Sequence, residues 1–169
     1  EKVRIRKVNA PQIQLFDPEM RFKELLALAA GKDAVRCAVV HPCDTGSLSG
    51  AMDSARYGLI VPVLIGPAKR IRFVAAEAGI DLEGVEIVDV EHSHAAAQKA
   101  ASMAAHGEVE VNMKGSLHTD EMLKAILAEP TLRTGRRMSH VFRFDVPLYP
   151  KPLLITDAAL NIRPTLAEK

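Results

Sequence analysis

Short, mostly apolar runs that alternate with helical patterns of about ten to fourteen residues leave this chain few folds to choose from. Phe22, Leu25, Leu26 and Ala29 recur at helical spacing within 20–30 and stop at Gly31. The run 35–40, held between Gly31-Lys32-Asp33 and Pro42, reads as a buried strand. A helix over 47–57 ends at Gly58, and a second buried strand, 60–65, closes at Gly66-Pro67. Pro67 at a first-turn position opens a helix carrying Ile71, Val74, Ala75 and Ala78, stopped by Gly79. Strand 85–90, an Ala-rich helix 93–106, strand 109–113 and helix 120–129 complete the series. Strands spaced this way build right-handed βαβ units around a parallel sheet. After Pro130 the rhythm changes. The strand-like runs 139–146 and 152–156 are joined by Pro147-Leu148-Tyr149-Pro150-Lys151, too short for a helical crossover. An antiparallel hairpin added to the sheet is the expectation, confined by its prolines to edge or turn positions.

Composition narrows the function classes. At 169 residues the chain fits one domain with a real core, and 48% hydrophobic with 25% charged residues is typical of globular proteins. A net charge of +1 gives no global pull toward nucleic acid or anionic membrane. Aromatics are scarce and Trp is absent, so stacking platforms for single strands are not expected. No apolar run approaches bilayer-spanning length, and the cytosol is the expected compartment. Residues 1–16, with Lys2, Arg4, Arg6, Lys7 and Pro11, read as a basic linker or leader, and 17–169 as the folded part. Pro164 starts a helix that runs out of chain.

Ligands of open parallel sheets sit beyond the carboxyl ends of the strands, and the chemistry-bearing residues gather there. The segment after 109–113 runs through Lys114-Gly115-Ser116-Leu117-His118-Thr119 into a helix at Asp120. A strand emptying through a glycine turn onto a helix start suits an anion such as phosphate, with Lys114 adding charge and Ser116, His118 and Thr119 adding donors. The same spacing suits an ordinary βα turn capped by Thr119 or Asp120. Arg133, Arg136, Arg137 and Arg143 form a basic stretch without an acid, fit for a multiply charged anion or for a solvated loop.

Other candidates are weaker. His41-Pro42-Cys43-Asp44 ends the first strand, where Cys43 reads as a structural cysteine and His41 as a hydrogen-bonded loop histidine. Two cysteines make neither a disulfide framework nor a zinc site, and His92 and His94 lack a third ligand, so no metal is expected. Lys69, Arg70 and Arg72 read as surface charge. No glycine-rich dinucleotide loop or P-loop is present.

Three long motifs carry a resemblance. Met113-Lys114-Gly115-Ser116-Leu117-His118-Thr119-Asp120 is the first, and the second runs from Leu132-Arg133-Thr134-Gly135-Arg136-Arg137 through Met138-Ser139-His140-Val141-Phe142. Leu153-Leu154-Ile155-Thr156-Asp157-Ala158-Ala159-Leu160-Asn161-Ile162 is the third. From Phe22 to Lys169 the chain resembles the phosphate acetyltransferase and phosphate butyryltransferase family. It looks most like the transferase half of bifunctional proteins in which an enoyl-CoA hydratase-like domain comes first. The resemblance implies reversible transfer of a short acyl group between coenzyme A and inorganic phosphate, with coenzyme A as substrate and no cofactor. It implies the first half of an α/β, three-layer αβα fold with a mostly parallel sheet, similar to isopropylmalate dehydrogenase, and a homodimer. Carried over motif by motif, Lys114, Gly115, Ser116, His118, Thr119, Thr134 and Asp157 become phosphate- or acyl-phosphate-binding. Arg133, Ser139 and Asn161 become catalytic.

Full family members are about twice this length. The resemblance places much of the coenzyme A surface, and the groups at the thiol, in the other half, so these residues alone are expected not to turn over. Lys114-Gly115, where Ser-Gly is common in acetyl-type members, leans toward butyryl substrates. The alternative is a non-catalytic acyl-phosphate or coenzyme A-binding domain, or a dimerisation platform, of the same fold.

Overall fold

A computed structural model describes residues 18–136, 138–157, 160–161, 163 and 165–166. The basic leader, and most of the helix expected after Pro164, lie outside the described residues. The chain divides into two compact units, 29–136 and a second made of the residues before and after it.

The larger unit holds strands β1 (Val35–Val40), β2 (Ile60–Gly66), β3 (Glu86–Asp89) and β4 (Val111–Lys114). Between and after them come α2 (Thr45–Arg56), α3 (Ala68–Ala78), α4 (Ser93–Ala105) and α5 (Thr119–Ala128). The helix before β1 is α1 (Pro18–Ala29). The sheet runs β3-β2-β1-β4 and every pair is parallel. Its register pairs Val40 with both Ile65 and Lys114, and Gly66 with Asp89, so all four strands run out along one edge.

Both faces of the two central strands are covered, as is usual for a parallel sheet, while the edge strands β3 and β4 stay partly exposed. Cys37 and Val39 of β1, with Ile60 and Leu64 of β2, pack on one face against Leu48 and Ala51 of α2 and Ile71, Val74 and Ala75 of α3. Ala38, Val40, Val63 and Ile65 point the other way and meet Ala96, Ala97, Ala100 and Met103 of α4. This alternation explains why β1 and β2 read as near-continuous apolar runs. Burying one of these aliphatic side chains is worth roughly 1.5–3 kcal/mol. The alanines let α4 lie close on the sheet, whereas α5 buries no residue fully and adds only Met122 and Ala125 to that cluster.

The second unit contains β5 (Val141–Phe144) and β6 (Leu153–Thr156), paired antiparallel from Val141↔Thr156 to Phe144↔Leu153. The hairpin is as expected. Its membership is not: it forms a two-stranded sheet of its own and does not extend the parallel sheet. A short proline-rich link dictates antiparallel pairing locally and says nothing about which further strand lies alongside. Every residue of β5 and β6 is exposed, the apolar Val141, Phe142 and Leu154 among them. Within this unit Arg21 of α1 is buried, donating to the Tyr149 carbonyl at 2.7 Å and lying 4.0 Å from Asp145.

Candidate functional site

The chain steps from β1 to β2 to β3 in one direction and then returns to lay β4 on the other side of β1. That reversal makes the carboxyl ends of β1 and β4 the topological switch point, the place where open α/β sheets receive ligands. His41 follows β1 and Gly115 follows β4.

The two strand ends are sewn together by backbone. Gly115 N–H donates to the Val40 carbonyl at 2.9 Å and Ser116 N–H to the His41 carbonyl at 2.8 Å. A Cβ on Gly115 would stand 2.5 Å from the Val40 oxygen and 2.7 Å from the His41 oxygen. The glycine is therefore required by close approach of two main chains, not by a turn. His41 itself sits at φ 56°, a left-handed conformation uncommon outside glycine. Its N–H donates to Ile65 at 2.7 Å, its carbonyl accepts from Ser116 and Cys43, and its ring Nδ1 lies 2.7 Å from the Ser116 carbonyl. A carbonyl only accepts, so Nδ1 carries the hydrogen.

His41, Ser93, Ser116, Leu117, His118 and Glu121 line an open hollow of about 450 Å³ at this edge. His118 and Glu121 also line a neighbouring groove of about 620 Å³ between α4 and α5, with Gln98, Ser102 and Lys124 on its walls. His118 is the residue that caps α5, one position earlier than expected, and its N–H faces the Glu121 carboxylate at 3.4 Å. Glu121 also reaches His94 of α4 at 3.3 Å. With Asp120 and Glu121 in its first turn, α5 already has negative charge at its positive end. An anion here would depend on side chains such as His118 more than on the helix dipole.

Asp44 braces the other side. It caps α2, accepting from Ser47 N–H and Ser47 Oγ, each at 2.9 Å. The Ser47 backbone bond, helped by the hydroxyls of Ser47 and Ser116, holds its carboxyl below the ordinary 3.8. A lowered carboxyl contributes stability above its unfolded value that is lost as pH falls through the folded one. Asp44→Ala is expected to cost about 1 kcal/mol of stability at neutral pH. In urea titrations this difference should begin to shrink as pH falls below the ordinary value of 3.8 and be smallest once pH has fallen through the lowered folded value, where Asp44 is protonated in both folded and unfolded protein. Cys43, next to it, is buried, and burial pushes its thiol up despite Arg70, the reverse of an activated nucleophile.

The structure separates the remaining candidates. Lys114 is exposed at the end of β4, its Nζ 3.3 Å from the Gly115 carbonyl, and Thr119 opens α5; neither lines the hollow. Arg133 is at the far end of that helix, donating through Nε and Nη2 to the Leu127 carbonyl at 2.8 and 2.5 Å. Leu127 is eight residues beyond Thr119, about 12 Å along the axis. Thr134 Oγ accepts from the Arg136 N–H at 3.2 Å in the loop beyond, and Arg137 is outside the described residues.

Ser139, Asp157 and Asn161 belong to the other unit. Asp157 is buried at φ 53°, its N–H donating to His140 and its Oδ1 accepting from Asn161 at 2.8 Å. Asn161 also donates to the Met138 carbonyl, and Ser139 is exposed. Asp157 Oδ2 is buried without a partner among the described residues. An acceptor of that kind suits a hydrogen-bond donor better than a bare phosphate oxygen. The residues missed by sequence reasoning are His41 as a site residue, Ser93, Asp44 and Glu121. The signal for His41 was its place directly after a buried strand, but its partner β4 depends on strand order.

No family model matches the chain. Over 165 residues it is 48% identical to a phosphate acetyltransferase of Rickettsia felis, covering 94% of this chain and 47% of the relative. A phosphate butyryltransferase of Clostridium acetobutylicum is 32% identical over 149 residues, 88% of this chain and 50% of the relative. The fold matches a phosphotransacetylase from Streptococcus pyogenes with a TM-score of 0.72 at 16% identity, over 90% of this chain and 55% of that one. The chain thus spans about half the length of the curated relatives it matches. With identity of this order sustained from end to end of the match, the protein belongs to the phosphate acetyltransferase and phosphate butyryltransferase family.

Proposed function

We propose that this chain forms the phosphate-holding half of an enzyme that moves a short acyl group between coenzyme A and inorganic phosphate. The carrying observation is the pairing of 48% identity to a named phosphate acetyltransferase with the switch-point hollow that Ser116 and His118 line. In the forward direction the thiol sulfur attacks the carbonyl carbon of the acyl phosphate. The carbon–oxygen bond to phosphate breaks, and the thiol proton ends on the phosphate. His118 holds the phosphoryl oxygens, Ser116 lines the same hollow with its hydroxyl hydrogen given to Asp44, Lys114 supplies positive charge at the rim, and orientation of the two substrates lowers the barrier. Arg133 and Thr134 belong to the same reading only if the guanidinium exchanges the Leu127 carbonyl for a ligand oxygen. Ser139 and Asn161 keep their proposed catalytic roles, and Asp157 its proposed binding role, as an acceptor.

Acetyl is the acyl group we propose, because the relative bearing that name is the more similar: 48% against 32% for the butyryl enzyme. This sets aside the lean drawn from Lys114-Gly115. Coenzyme A is a substrate and no cofactor or metal is invoked. The cytoplasm, a homodimer and a fused hydratase-type domain complete the proposal. No described helix is long and apolar enough to cross a membrane.

The test is thioester formation from acetyl phosphate and coenzyme A by the full-length protein, with butyryl phosphate as competitor. Turnover with acetyl preferred is expected, and none from these 169 residues alone. An inactive full-length protein would refute the assignment.

A further inference from the structure

His41 is held on every side but one. Its main chain is fixed by Ile65, Ser116 and Cys43, and Nδ1–H is spent on the Ser116 carbonyl. Its Cδ2 edge lies beside Gly66, 3.6 Å from where a Cβ would stand, an ordinary contact distance. The remaining ring atom able to hydrogen-bond is Nε2, which has no partner among the described residues and belongs to a side chain lining the hollow. With the hydrogen fixed on Nδ1, the neutral ring presents a lone pair at Nε2. Strain at φ 56° in a residue other than glycine persists where the surroundings over-determine it.

The other groups around the ring are also rich in acceptors. Glu121, its side chain only 14% exposed, faces the hollow from α5, and Asp44 reaches Ser116 from the start of α2. His118 lines the hollow from the α5 side, and the β2 side presents the uncharged Gly66. A fully deprotonated tetrahedral dianion meets lone pairs here. A phosphate that keeps a hydrogen can instead donate it.

Resting on the reading of this hollow as a phosphate site, we propose that His41 Nε2 accepts the P–OH hydrogen of inorganic phosphate and so selects phosphate over sulfate. Sulfate has the same shape and, at neutral pH, no hydrogen to give. A site built to pair with a hydroxyl rejects the isostere that lacks it, because its own acceptor is then left unpaired. When phosphate gives up this proton, Nε2 takes it and the ring becomes a cation. In the direction that makes acyl phosphate, that proton passes on to the coenzyme A sulfur as the carbon–sulfur bond breaks, the reverse of the path by which the thiol proton reaches phosphate.

Titration calorimetry on the full-length protein at neutral pH, with inorganic phosphate and with sulfate, tests this. Phosphate is expected to bind about tenfold or more tighter than sulfate. His41→Asn, a residue tolerated at positive φ but too short to reach, should bring the ratio close to one by weakening phosphate and leaving sulfate unchanged. An unchanged ratio in the variant overturns the proposal. Nitrogen-15 spectra of the wild-type histidines decide independently, should the variant fail to fold. Hydrogen on Nδ1 and a phosphate-dependent shift at Nε2 are expected, and hydrogen on Nε2 in the free protein sinks the idea. If phosphate and sulfate bind the wild type alike and move the Ser116 and Leu117 amides, the phosphate site stands and the His41 assignment falls. If neither anion binds, both fall.

Discussion

Gly115→Ala is expected to lower stability by about 3 kcal/mol, combining overpacking with the weakening of two main-chain hydrogen bonds. The added methyl would meet the Val40 and His41 carbonyl oxygens at 2.5 and 2.7 Å and the His41 carbonyl carbon at 2.8 Å. All three belong to backbone, so no rotamer change can relieve the contact. The ends of β1 and β4 must part, straining the bonds from Gly115 and Ser116 that join them. The same movement pulls the Ser116 carbonyl from the His41 ring, so phosphate affinity should fall together with the urea midpoint. Gly50→Ala is the control. Gly50 lies inside α2 with nothing within 4 Å of the new atom, and alanine there should stabilise by up to about 1 kcal/mol. Equal midpoints for Gly115→Ala and wild type would mean that the strand ends are not so closely joined.

The parallel sheet was legible because each of its strands and helices announces itself locally. The run 35–40 is mostly apolar since β1 is central and buried on both faces, and Gly58 and Gly79 end α2 and α3. Boundaries shifted where capping chemistry was misread: Pro67 precedes α3 and His118, not Thr119 or Asp120, precedes α5. Strand order was not legible, because nothing in the 111–114 sequence says that it pairs with β1 on the side away from β2. Yet that pairing is what converts His41 from an ordinary loop histidine into a wall of the hollow. Ser116 and His118 were found because a strand, a glycine and a helix start lie in one short stretch. Arg133 follows another logic: a cation near a helix C-terminus finds its carbonyls before any ligand arrives. The separate hairpin has a similar cause, since local pairing is written in a five-residue link and sheet membership is not.

Ala100→Leu is the second large effect, expected to cost about 2–3 kcal/mol although it adds apolar surface to an apolar site. Ala100 is 1% exposed, in a cluster with Ala96 and Ala97 of its own helix and Ala38, Val40, Val63 and Ile65 of the sheet. Interiors are packed near crystal density, so the longer side chain finds no void. It must either adopt a poor rotamer or lift α4 from β1 and β2. Lifting α4 also displaces Ser93, the first residue of that helix and a wall of the hollow, and separates His94 from Glu121. Phosphate affinity should therefore fall with stability even though no residue facing the ligand has changed. Gln98→Leu, an exposed position on the same helix, is expected to stay within about 0.5 kcal/mol of wild type. A stable Ala100→Leu that keeps its phosphate affinity would show that α4 does not set the spacing between the sheet edge and the site. The run of alanines in α4 would then reflect helix propensity alone, and the link drawn from small side chains to close packing to a formed hollow would be broken.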